Sequence, residues 1–126
     1  MSHLLIVDDE PDFLDELAEA LSFEGLTSTC VSRAGEAIAA VRADPNIDIV
    51  VTDIRMPDMD GVDLIQALKA SFPERTMKFV VMTGHAAEED IRRAQAAGAD
   101  AWFPKPLAFA SFCQTLATMG GMNRQT

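Results

Sequence analysis

Ile49-Val50-Val51-Thr52-Asp53-Ile54-Arg55-Met56-Pro57-Asp58-Met59-Asp60-Gly61 is the stretch that sets the architecture of this chain. It opens on a β-rich apolar run, residues 49–52. Such a run suits a parallel strand covered on both faces better than a strand with one wet face. The run ends on an acid, Asp53, and gives way to a loop containing Pro57. A helical pattern follows over residues 62–71, with Leu64, Ile65 and Leu68 inward and Pro73 beyond its end. The stretch is a strand, a loop and a helix.

Outward from it, the same unit recurs on both sides. Further short β-rich runs lie at residues 4–7, 27–31, 79–82 and 101–103. The first helical pattern opens with Pro11, a favoured first-turn residue, and stops near Gly25; its stripe is Phe13, Leu14, Leu17 and Leu21. The second runs over 34–43, with Ser32 or Arg33 at its mouth and Ile38 and Val41 inward. The fourth starts near Ala87 and ends at Gly98. It carries Glu88, Glu89 and Asp90 early and Arg92 and Arg93 later, an order that suits the helix dipole. The fifth follows Pro106, with Phe109, Phe112, Leu116 and Met119 three and four apart. The expected class is therefore α/β: a (βα)5 chain with a parallel sheet between two helix layers. Right-handed crossovers leave few topologies.

The 126 residues fit one domain, and 48% hydrophobic with 24% charged residues excludes disorder for most of the chain. Ten basic against twenty acidic residues give a net charge of −10. So acidic a chain is a poor binder of nucleic acid, and an anionic membrane surface repels it. The apolar runs are far short of the ~18 residues a membrane span needs. No Lys or Arg precedes Asp8, which cuts off any signal-peptide core. Cys30 and Cys113 are far apart and read as two thiols of a reducing cytosol. A cytoplasmic location is expected.

Ligands of an open parallel sheet gather at the carboxyl ends of its strands. Asp8, Asp9 and Glu10 follow the first run, Asp53 the third, Thr83 and Gly84 the fourth, and Lys105 and Pro106 the fifth. Converging carboxylates repel by about 4 kcal/mol at ~4 Å and an effective dielectric of ~20. Such a cluster calls for a cation or for raised pKa values. Oxygen ligands without His or Cys select a hard ion, and Mg²⁺ fits best. A carboxylate nucleophile beside Mg²⁺, a lysine and a hydroxyl is equipment for forming an aspartyl phosphate. Singly, each residue reads as a helix cap or a solvated charge; their joint placement carries the functional reading.

These residues form a pattern. Val7-Asp8-Asp9-Glu10, the run from Asp53 to Gly61, Met82-Thr83-Gly84, Gly98-Ala99-Asp100-Ala101 and Lys105-Pro106 together resemble the receiver domain of bacterial two-component response regulators. The resemblance runs from Leu4 to Met119. It implies a flavodoxin-like three-layer sandwich of strand order 2-1-3-4-5. A receiver domain is expected over residues 1–119, with 120–126 a tail or the start of a linker.

The resemblance also implies roles. Asp53 is the expected phosphoacceptor. Asp9 would ligate Mg²⁺ directly and Asp8 would orient it through water. The Arg55 carbonyl would be another ligand; Mn²⁺ or Ca²⁺ would substitute for Mg²⁺. Thr83 and Lys105 would contact the phosphoryl group, and Lys105-Pro106 would be a cis peptide. Trp102 occupies the position of the switching aromatic, where most relatives carry Tyr or Phe. Arg55 and His85 flank the pocket mouth and would tune phosphoryl lifetime. The donor would be a sensor histidine kinase or a phosphotransfer protein. The result is a signalling switch rather than a metabolic enzyme, catalysing only its own phosphorylation and dephosphorylation and controlling a partner or output domain.

One feature belongs to this chain: no charged residue lies between Pro106 and Asn123. The exposed positions of the fifth helix would come from Ala108, Ala110, Ser111, Gln114, Thr115, Ala117 and Thr118, a face for a partner or a second copy. Three other readings compete. A haloacid-dehalogenase-type phosphohydrolase needs an acid two residues after its nucleophile, where this chain has Arg55. A nucleotide-binding domain needs a glycine-rich phosphate loop, and neither G-x-G-x-x-G nor a Walker A stretch occurs. A receiver-like interaction module that is never phosphorylated is compatible with the sequence.

Overall fold

The structure is a computed structural model, and it describes residues 3–84 and 88–120. The elements alternate: β1 (His3–Val7), α1 (Pro11–Phe23), β2 (Thr27–Val31), α2 (Ala34–Ala43), β3 (Ile47–Asp53), α3 (Gly61–Ser71), β4 (Lys78–Thr83), α4 (Glu88–Ala97), β5 (Ala101–Pro104) and α5 (Phe109–Gly120). The five strands are all parallel, in the order β2-β1-β3-β4-β5. The sequence expectation of a (βα)5 flavodoxin-like fold holds.

Two apolar layers sandwich the sheet. Leu5, Val7, Val50, Phe79 and Val81 face α2, α3 and α4, packing on Val41, Leu64, Ile65 and Leu68. Leu4, Ile6, Ile49, Val51, Val80 and Met82 face α1 and α5, packing on Leu14, Leu17, Leu21, Phe112 and Leu116. Strand side chains alternate between the two layers, which is why the apolar runs are continuous.

Element ends follow local chemistry. Gly25 and Gly98 have φ of 79° and 108°, a region that favours glycine. Each closes its helix with a pair of backbone bonds: Leu26 and Gly25 donate to Leu21 and Ser22, and Ala99 and Gly98 donate to Ala94 and Gln95. Four of the five strands are longer than the runs read from sequence, β2 being the exception. β1 gains His3, whose amide donates to Asp48 and whose ring bonds the hydroxyls of Thr27 and Thr29. β3 starts at Ile47, before the polar Asp48, with a register irregularity opposite His3 and Leu4.

α5 begins three residues after Pro106, so Ala108 precedes it, and Thr115 and Ala117 are half-buried rather than on its open face. The expected start of α4 at Ala87 lies outside the described residues, as do His85 and residues 121–126 of the expected tail. Among the described residues, no helix is long and apolar enough to cross a membrane.

Candidate functional site

The carboxyl edge of the sheet is built by the backbone. The Asp8 amide donates to Val31 and extends the β1–β2 ladder by one residue. That fixes Asp8 with no exposed surface. Asp53 ends β3, in register with Met82. The Lys105 amide donates to the Thr83 carbonyl at 2.8 Å, and the following Lys105–Pro106 bond is cis.

Three strand ends thereby converge. Lys105 Nζ donates to Asp8 at 2.5 Å and to Asp53 at 3.3 Å, and lies 3.7 Å from Glu10. The ammonium also stands over the Phe13 ring, 4.3 Å from its centroid. Phe13, read from sequence as core alone, is therefore a wall that holds the lysine in place. Carboxylate oxygens of Asp8, Asp9 and Asp53 lie within 4.8 Å of one another. Asp8 and Asp53 are buried and Asp9 is exposed.

One lysine does not balance this cluster. Burial raises the Asp53 pKa above its ordinary value; Lys105 opposes that rise and the Asp8 carboxylate adds to it. Burial alone would lower the Lys105 ammonium, but its hydrogen bond to Asp8 and the charges of Asp53 and Asp8 carry it upward. The pocket thus retains excess negative charge and only oxygen donors. That donor set fits a hard divalent cation such as Mg²⁺. Asp9, Glu10, Asp53, Arg55, Gly84 and Lys105 line an open pocket of about 290 Å³, wide enough for a phosphoryl group.

The loop after Asp53 is tied to three helices. Asp58 accepts from the Ala34 amide at 3.0 Å, supplying α2 with the cap that Arg33 does not provide. Asp60 caps α3 through the Val62 amide at 2.7 Å. A Cβ on Gly61 would stand 2.2 Å from the Asp53 carbonyl oxygen, so only glycine lets α3 start this close to Asp53. The third tie is to α4. Arg55 donates to Asp90 at 2.8 Å, and Arg93 lies 3.3 Å from both Asp60 and Asp90. Asp60 and Asp90 raise the Arg93 pKa, Asp60 the more.

The sequence reading missed Asp90 and Arg93. Their spacing suited the helix dipole, and nothing local linked them to a residue 35 positions earlier. Trp102 is 38% exposed. It is in register with Val81, so strand alternation puts it on the same sheet face as Val81 and Thr83. Thr83 is buried at the end of β4.

A larger groove of about 510 Å³ lies between Glu24 and Leu26 on one side and α5 on the other, lined by Phe109, Ala110, Cys113, Gln114 and Ala117. Its titratable groups are Glu24 and Cys113, and burial raises the Cys113 thiol further above neutrality. The acids and the lysine that meet in one place line the smaller pocket instead.

Known proteins share this fold. The family described as "Response regulator receiver domain" matches residues 4–117. The two-component response regulator PprB of Pseudomonas aeruginosa is 34% identical over 83% of this chain and 38% of its own length. The response regulator SaeR of Staphylococcus aureus is 36% identical over 86% of this chain and 46% of its own length. The chain thus spans less than half of these relatives. A two-component response regulator from Clostridium difficile has the same fold, with a TM-score of 0.88, 23% identity, and coverage of 98% of this chain and all of that one. With the fold, the edge of acids and the lysine in place, the chain belongs to the response regulator receiver domain family.

Proposed function

We propose that this receiver takes a phosphoryl group on Asp53 from a phosphohistidine of a sensor kinase or phosphotransfer protein, and changes shape to control a partner or output domain. The observation that carries this is the convergence of Asp8, Asp9 and Asp53 around Lys105 in one open pocket. Asp8, Asp9, Asp53 and the Arg55 carbonyl would hold Mg²⁺. The ion would supply positive charge for the phosphoryl oxygens.

The chain's own residues do the rest. Asp53 is held at the end of β3 and lines the pocket. A carboxylate oxygen of Asp53 attacks phosphorus; the P–N bond to the donor histidine breaks, and its electron pair leaves on the imidazole nitrogen, which takes up a proton. Lys105, fixed by Phe13 and Asp8, offers its ammonium to the phosphoryl oxygens. Thr83 offers a hydroxyl from β4. The product adds roughly −1.5 to −2 charge at Asp53, by analogy with other phosphorylated side chains. Trp102 is the aromatic that answers this change on β5. Arg55 and His85 tune the lifetime of the acyl phosphate.

Residues 1–119 form the switching unit, and 120–126 a tail or the start of a linker. The open face of α5, formed by Ala110, Ser111, Gln114 and Thr118, is offered to an output domain or a second copy. Ultracentrifugation giving a monomer with and without beryllofluoride would remove the second copy.

Intact mass after incubation with Mg²⁺ and acetyl phosphate tests the central claim. A single phosphoryl adduct is expected in the wild type. It should be absent from Asp53→Asn and from an EDTA control. An adduct that persists in Asp53→Asn overturns the assignment. No adduct from acetyl phosphate or from a phosphohistidine donor favours a docking module instead.

A further inference from the structure

The tie between Arg55 and Asp90 stands out because its two ends differ. The Arg55 side chain is 65% exposed, while that of Asp90 is 7% exposed. Arg55 lies two residues after Asp53 and lines the acidic pocket, yet its guanidinium reaches away, to the first turn of α4. Moving it would disturb little packing. Nor would its departure strand a buried charge, because Asp90 keeps Arg93 at 3.3 Å.

We propose that Arg55 is a two-position lever: Asp90 holds its guanidinium in the unphosphorylated chain, and a phosphoryl group on Asp53 takes it, which loosens α4. This rests on the phosphoacceptor reading above. Two anions compete for one planar donor. Asp90 offers a single negative charge. A phosphoryl group offers about −1.5 to −2 and three acceptor oxygens, and guanidinium binds such a group bidentately. Before phosphorylation, two ion pairs join α4 to the loop after Asp53, Arg55–Asp90 and Arg93–Asp60. Afterwards only the second remains. The signal leaves the pocket as a lost restraint on α4, on the sheet face that also carries Trp102.

Hydrogen exchange of peptides covering α4 tests the lever, in the wild type, Arg55→Ala and Asp90→Asn. Each is measured with and without Mg²⁺ and acetyl phosphate, with intact mass recording the adduct. Without a donor, Arg55→Ala should exchange about two- to fivefold faster than the wild type, as expected for one partly exposed ion pair, and Asp90→Asn, which also loses its pair with Arg93, at least as fast. Phosphorylation should bring the wild type to the level of Arg55→Ala and leave that variant nearly unchanged. An adduct on the wild type with unchanged α4 exchange overturns the lever alone. So does an Arg55→Ala chain that starts at the wild-type rate or responds to phosphorylation as the wild type does. No adduct on the wild type overturns the phosphoacceptor reading, and the lever with it.

Discussion

The two edges of the sheet use arginine in opposite ways. At the amino edge, Arg75 is half-buried and donates to three carbonyls: Val41 and Asp44 at the end of α2, and Ile47 at the start of β3. The Phe72 ring lies beside it, with Arg42 also close to the ring. Every acceptor there is neutral backbone that cannot move without unfolding the edge. At the carboxyl edge, Arg55 and Arg93 bind carboxylates on side chains, and one buried acid, Asp90, is shared between them. The first arrangement fixes a corner. The second holds a helix by charges that a new charge can outbid. A switch needs both: one edge that stays, and one edge with alternatives of similar energy.

The contrast is broken most strongly by Arg75→Met. Three carbonyls lose a charged donor, and the expected cost is about 3 kcal/mol in urea unfolding. The phosphoryl adduct on Asp53 should still form. A loss under about 1 kcal/mol would mean that the amino edge is not the fixed one.

Gly61→Ala should cost about 2 kcal/mol, because the new Cβ meets the Asp53 carbonyl. Unlike Arg75→Met, it should also lower the extent of phosphorylation, since the displaced backbone is that of Asp53.

Asp53→Asn should act in the other direction. Burial raises the pKa of Asp53 in the folded chain above its ordinary 3.8, so its ionised form opposes folding. Stability is fullest below the unfolded value and is lost as pH rises through the folded value. In metal-free buffer at pH 7, Asp53→Asn should show the higher urea midpoint, and the gap should close as pH falls below 3.8. A lower midpoint at pH 7 would show that Lys105 outweighs burial.

The smallest effect is expected at Arg92→Ala. Arg92 and Glu88 are both largely exposed and 3.9 Å apart, so the change should stay within about 0.5 kcal/mol and leave α4 exchange as it is. A response as large as that of Arg55→Ala would mean that any charge on α4 matters.

Much of this was legible in the sequence, for physical reasons. Strands covered on both faces write themselves as apolar runs such as Leu4-Leu5-Ile6-Val7, and Gly25 and Gly98 mark helix ends by their positive φ. Asp8, Asp53 and Lys105 stood out because each follows or ends such a run, and topology brings run ends together. The extensions of β1 and β3 were hidden because their ends are polar and paired through side chains, His3 and Asp48 among them. The Arg55–Asp90–Arg93–Asp60 ties were hidden for a different reason. Arg55–Asp90 and Arg93–Asp60 join positions far apart in sequence, through side chains that each have an ordinary surface role when read alone.

Trp102 has a practical consequence. The chain has one tryptophan and no tyrosine, so its ultraviolet emission comes almost wholly from a single indole. That indole sits on β5, partly open to water, on the sheet face shared with Thr83. The protein therefore carries its own optical probe, and a shift in emission colour on adding a phosphoryl donor would report the proposed switch in real time without a label.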